Sequence, residues 1–138
     1  MEQMTVRSRG DDRYEIDVRG HRIVVDQPTD GGGTDAGPTP TELFVASVAS
    51  CTAHYAGRFL ARHGIDADGL AVTCSFGFAT DRPARVGWID MTLDVPSGLP
   101  DTRLDGLRAV VEHCTVKNSL VTPPDVHLRM TRAEVPAA

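Results

Sequence analysis

Residues 39–64 constrain the fold more than any other stretch of the chain. Thr39-Pro40-Thr41-Glu42 combines an N-cap threonine, a proline at the first helical position and a glutamate able to reach back to the cap amide. A helix therefore starts at Pro40 and can run to the terminator Gly64, about 24 residues or about 36 Å. From Leu43 to Ala53 nearly every position is apolar or small. Such a helix has to be covered on every side, and one small sheet cannot do that. Ser47, Ser50, Thr52, His54 and Arg58 interrupt the run too often for a membrane span. Ala46, Ala49, Ser50, Ala53 and Gly57 leave room for a second helix to approach closely. The expected cover is the same helix of a second subunit, in a twofold homodimer.

Period-two patterning fills the regions on either side. Tyr14, Ile16 and Val18 alternate with charged neighbours, and turn signals sit at residues 10–12 and 19–21. Segments 5–9, 13–19 and 22–26 therefore read as a three-stranded antiparallel meander. Residues 28–38, with Gly31-Gly32-Gly33, read as a flexible connection, since they lack both the lysine and the spacing of a phosphate-binding loop. Leu70, Val72, Cys74, Phe76 and Phe78 alternate without error, and Ile89, Met91, Leu93 and Val95 follow. A long hairpin is expected, with a bulge where the apolar phase changes between Val86 and Ile89. A second helix starting near 101 or 102 aligns Leu104, Leu107, Val111 and Cys114 on one face. Val126, Leu128 and Met130 predict a final strand. With 138 residues, the chain is expected to form one α+β domain spanning 1–138.

Fourteen Lys and Arg against nineteen Asp and Glu give a net charge of −5, with no basic block. Phosphate neutralisation needs clustered cations, so nucleic acid is not an expected partner. Nor is a membrane, and the residues after Met1 carry no signal-peptide pattern, so the expected location is the cytoplasm. Cys51, Cys74 and Cys114 are odd in number and far apart, which fits neither a disulfide framework nor a four-cysteine zinc site. Cys51 and Cys114 fall at buried positions, where a free cysteine commonly serves as a small hydrophobe, and the same holds for Cys74. His54 lies three residues after Cys51 on the same helical face. It could take a proton from the thiol, simply pack, or join Cys51, His113 and Cys114 as a zinc ligand.

Four separated segments together carry a resemblance. They are Asp26-Gln27-Pro28, the run from Gly31 to Leu43, Ala49-Ser50-Cys51-Thr52, and Cys114-Thr115-Val116-Lys117-Asn118-Ser119-Leu120. In this order they resemble the OsmC/Ohr family of thiol-dependent hydroperoxide reductases, in its shorter OsmC-like branch. The resemblance implies an intertwined homodimer with antiparallel sheets packed around long central helices. It implies that Cys51 attacks an organic hydroperoxide and that Cys114 resolves the resulting sulfenic acid as a disulfide. No cofactor is implied, and a dithiol reductant, in the family often of lipoyl type, restores both thiols. An apolar pocket including Phe44 and Tyr55 would favour organic substrates over hydrogen peroxide. One position departs from the pattern: Thr41 stands where efficient relatives carry a glutamate, and Glu42 falls half a helical turn out of phase with Cys51. Glu42 is then a helix cap before it is a catalyst. Arg9, Arg13, Arg19 and Arg22 remain equal candidates for a thiolate-stabilising cation. The alternative is a non-catalytic dimer of the same scaffold that binds an apolar or sulfur-containing small molecule.

Overall fold

A computed structural model describes residues 2–134. Strands β1 (Met4–Ser8), β2 (Tyr14–Val18) and β3 (His21–Val25) form the expected antiparallel meander in the order β1-β2-β3. Between β2 and β3, Arg19 and Gly20 both take positive φ, 48° and 80°, the geometry of a two-residue turn that matches strand twist. The register sorts the side chains onto two faces. Val6 lies opposite Ile16 and Ile16 opposite Ile23, whereas Arg7 lies opposite Glu15 and Asp17 opposite Arg22. The charged face is laced by Arg7–Asp17 (3.1 Å), Arg9–Glu15 (2.7 Å) and Arg22–Asp17 (3.2 Å). The apolar face is left open, with Met4 62% and Val6 56% exposed.

The glycine-rich stretch that follows is not the flexible connection its composition suggests. It folds around Asp26, which is only 1% exposed. Asp26 Oδ2 accepts from the Thr34 hydroxyl (2.7 Å) and from the amides of Ala36 (3.0 Å) and Thr34 (3.3 Å), and Oδ1 accepts from the Gln27 amide (2.8 Å). A short 3-10 turn, Thr29–Gly31, lies inside the loop. Gly33 and Gly37 are needed because a Cβ there would collide with the carbonyls of Gln27 and Val24.

Helix α1 (Pro40–Arg62) starts with a complete capping box. Thr39 Oγ1 accepts from the Glu42 amide (3.1 Å) and Glu42 Oε1 accepts from the Thr39 amide (2.9 Å). Val45, Val48, Thr52, Ala56, Phe59 and Leu60 form its buried stripe. Phe44, Ala46, Ser50, His54 and Arg58 face outward, so within one chain only one side of α1 is covered. No helix among the described residues is long and apolar enough to cross a membrane.

Strands β4 (Ala71–Phe78) and β5 (Val86–Asp94) make the second sheet. The expected bulge is present: Gly77 pairs with Trp88 but Phe78 pairs with Val86, leaving Gly87 as the extra residue. Helix α2 (Leu104–Glu112) packs Leu107 into a core with Ala56, Phe59, Leu60 and Leu99. Ile65, Leu70, Leu93, Val110 and Val111 close round it, and no residue of the meander takes part.

Two further expectations are corrected. The second helix does not run unbroken toward the 114–120 segment, because His113 caps α2 and Cys114 adopts an extended conformation (φ −68°, ψ 154°). A separate helix α3 (Thr115–Val121) begins after it. The Asn118 side chain donates to the His113 carbonyl (3.1 Å), satisfying the end of α2 across the break. The strand expected at 126–131 is not formed either. Val126, Leu128 and Met130 are 87%, 88% and 86% exposed, and alternation alone makes no strand when the segment pairs with neither sheet. The remaining architecture is a mixed one of antiparallel sheets and helices.

Candidate functional site

Cys51 sits on the flank of the buried stripe of α1, half-buried, and Cys114 occupies the break between α2 and α3, with 0% exposure. The break turns Cys114 toward α1, and the two cysteines approach to 3.6 Å. All three cysteines are free thiols. A disulfide needs a sulfur separation of about 2.05 Å, so this is contact distance, with a short movement left before bonding. Cys74 belongs to β4, opposite Met91, and plays no part in this contact.

The electrostatics around Cys51 are opposed. Burial is the main effect and pushes its thiol above the ordinary 9.0, and the neighbouring Cys114 pushes the same way. The backbone N–H groups of Val116 and Thr115, at the start of α3, pull it down. Among the described residues no arginine enters this balance. Arg9 and Arg22 are engaged with Glu15 and Asp17 on the meander, Arg19 lies in a turn, and Arg13 precedes β2. Glu42 is committed to the cap and exposed. His54 is exposed, its ring edge-on to Tyr55 at 5.6 Å. Among the described residues no three His, Cys, Asp or Glu side chains are placed to hold a metal ion, so Cys51, His54, His113 and Cys114 do not form a zinc set.

Tyr55 lies one helical turn beyond Cys51 on α1. Its hydroxyl shares a hydrogen bond with the Thr115 hydroxyl at 2.6 Å, joining α1 to the first residue of α3. Phe44, expected in the same pocket, instead lines a separate hollow of about 360 Å³ with Pro40, Thr41, Arg85 and Val86. A larger cleft of about 580 Å³ opens beside Thr52, where Met91, Leu93, Leu107 and Val111 supply apolar walls and Arg108 and Lys117 add charge. Neither hollow is lined by Cys51 or Cys114. Sequence patterning did not anticipate the break at Cys114, the Tyr55–Thr115 bond or the amides facing Cys51. No glycine or proline marks the break, so the one available signal was Asn118, a side chain suited to bonding local backbone.

No curated protein matches the sequence. Solved structures do match, over most of their length. A protein from Psychrobacter arcticus 273-4, provisionally described as an osmotic stress induced and detoxification response protein, is 26% identical with a TM-score of 0.78, over 86% of this chain and 88% of that one. An OsmC-like protein from Mycoplasma pneumoniae superposes with a TM-score of 0.75 at 16% identity, over 89% of each chain. An organic hydroperoxide resistance protein OsmC from Legionella pneumophila gives 0.64 at 15% identity, over 87% and 88%. These last two share the fold. The family model for OsmC-like proteins matches residues 31–129, which include both cysteines of the contact and the helix between the sheets: the chain belongs to the OsmC-like protein family.

Proposed function

We propose that the protein is a homodimeric reductase of organic hydroperoxides in which Cys51 attacks and Cys114 resolves. The observation that carries this reading is the 3.6 Å approach of a half-exposed cysteine to a fully buried one. The Cys51 thiolate attacks the distal peroxide oxygen, breaking the O–O bond. ROOH leaves as ROH after taking up a proton, and Cys51 becomes a sulfenic acid. Cys114 then displaces water from that sulfur, forming a disulfide. A dithiol reductant takes the sulfurs back to two thiols and is itself oxidised to a disulfide. Its first attack falls on Cys51, because Cys114 offers no surface to an incoming thiolate. Membership of the family supports the peroxide as substrate, and the OsmC of Legionella pneumophila is called an organic hydroperoxide resistance protein.

A second copy supplies what one chain leaves uncovered. The open apolar face of the meander, the outward side of α1 and the unpaired alternation of Val126, Leu128 and Met130 all call for the same partner.

The second reading is a non-catalytic dimer that binds an apolar or sulfur-containing small molecule. It is favoured by the raised Cys51 thiol, with no arginine in its balance, and by Thr41 in place of a glutamate. Turnover of cumene hydroperoxide with dihydrolipoamide separates the two. Peroxide consumption lost in Cys51→Ser, and limited to about one equivalent in Cys114→Ser, supports the reductase. A wild type no faster than Cys51→Ser leaves the binder.

A further inference from the structure

A thioether reacts with a peroxide through a sulfur lone pair and needs no ionisation, so a methionine can be oxidised where burial keeps a thiol neutral. Met4 and Met130 are 62% and 86% exposed, whereas Met91 is 37% exposed. Met91 stands on β5 opposite Cys74, on the face of the hairpin that meets α1. It is the one methionine lining the cleft of about 580 Å³, where Leu93, Leu107 and Val111 surround it with apolar wall. Thr52 lines the same cleft and is itself 5% exposed. Its hydroxyl donates to the Val48 carbonyl at 3.1 Å and lies 3.8 Å from Met91 Sδ.

We propose that Met91 is a site of oxidation by organic hydroperoxides, with the Thr52 hydroxyl as hydrogen-bond donor to the oxygen that the sulfur gains. The cleft is of a size that holds small ligands, and its apolar wall takes up a hydroperoxide with a hydrocarbon body in preference to hydrogen peroxide. A lone pair of Met91 Sδ attacks the distal peroxide oxygen. The O–O bond breaks, an S–O bond forms, and the proton of the distal oxygen passes to the leaving alkoxide, giving ROH and methionine sulfoxide. The sulfur loses the two electrons that the peroxide gains, so no further reactant is consumed. A thioether sulfur is a weak acceptor, but the oxygen added to it is a strong one, and on the Thr52 side it falls within reach of the hydroxyl. Thr52 can turn to it without orphaning the Val48 carbonyl, which keeps its helical partner, the Thr52 amide. Cys51 lines no part of this cleft, and the inference does not depend on Cys51 as the attacking thiol.

The reduced full-length protein is treated with an excess of cumene hydroperoxide or of hydrogen peroxide, without a reductant, and sulfoxide at Met4, Met91 and Met130 is followed by peptide mass spectrometry. With hydrogen peroxide the rates are expected to follow exposure, Met130 ahead of Met91. With cumene hydroperoxide the order reverses. Thr52→Val keeps the shape and removes the hydroxyl. It is expected to slow Met91 oxidation by cumene hydroperoxide about threefold to tenfold, the worth of one hydrogen bond, and to leave Met4 and Met130 unchanged. Thr52→Ser, which keeps the donor, retains the wild-type rate. An order that is the same for both oxidants, an unchanged or faster Met91 in Thr52→Val, or a Thr52→Ser protein as slow as Thr52→Val overturns the proposal. Selective Met91 oxidation in a chain that turns over no peroxide with a dithiol overturns the proposed function alone, and turnover with Met91 left unoxidised overturns the Met91 assignment alone.

Discussion

Asp26 and Cys51 are two ionisable groups bordered by backbone amides, and they come out in opposite directions. Asp26 is held by a hydroxyl and three amides, and its carboxyl falls from the ordinary 3.8 to about 2, with the Thr34 hydroxyl as the largest cause. Cys51 faces two amides, yet its thiol rises, because burial and Cys114 outweigh them. Removal from water opposes both charges, so the number and quality of donors decide the outcome. The difference suits the two roles. A carboxyl that stays ionised down to low pH ties a loop in place, whereas the buried Cys51 thiol is held toward its neutral form.

The largest expected effect comes from breaking the Asp26 side of this contrast. In Asp26→Asn one oxygen becomes an amide nitrogen. Whichever way that amide is turned, donors then face donors, and the loop from 27 to 36 loses its centre. We expect a fall in Tm larger than for either of the other substitutions considered below. The pH dependence follows from the same shift. A carboxyl depressed in the folded state contributes stability that is fully present above its unfolded value near 3.8 and is lost as pH falls through about 2. Thermal melts between pH 5 and pH 2 should therefore show a steeper acid loss in the wild type than in Asp26→Asn. Parallel slopes would mean that Asp26 is not ionised in the way described.

Thr39→Ala sharpens the comparison by testing the other end of the same loop. If Asp26 organises the approach to α1, the capping box adds only the ordinary worth of an N-cap, about 1 kcal/mol, read from urea unfolding. A loss equal to that of Asp26→Asn would shift the organising role from the carboxylate to the cap.

Much of the scaffold was legible in the sequence because it follows from local rules. Thr39-Pro40-Thr41-Glu42 names its own geometry, and the meander and the β4–β5 hairpin announce themselves by alternation. What failed was information carried by neighbours distant in sequence. The Gly31-Gly32-Gly33 run reads as loose until Asp26 is seen at its centre, five residues before it. The periodic face of Leu104, Leu107 and Val111 extends to Cys114 on paper, but the backbone turns extended there. Val126, Leu128 and Met130 keep their strand pattern with no strand beside them, because alternation reports which side chains share a face and not whether a partner strand is in register. At the site, the two cysteines were legible through family resemblance and not through their burial pattern, which suits inert cysteines equally well. The amides of Thr115 and Val116 were invisible, since every residue has one.

The smallest effect belongs to the Cys51 side, and it tests whether burial or the second cysteine governs that thiol. Cys114 raises the Cys51 thiol through a side-chain hydrogen bond and through charge, but both rank below burial. Cys114→Ala removes these two effects and leaves the burial, so Cys51 should ionise more readily than in the wild type and less readily than in the unfolded chain. Alkylation at pH 8 should therefore be slowest in the native wild type, faster in native Cys114→Ala, and fastest in either protein in concentrated urea, where desolvation is lifted as well. If native Cys114→Ala reacts as fast as the unfolded chain, the neighbouring sulfur and not burial is what restrains Cys51. The thiol would then be freed as soon as the two side chains move apart. If it reacts no faster than the native wild type, the sulfurs do not interact at 3.6 Å, and resolution would require Cys114 to move before it can reach a sulfenic acid on Cys51.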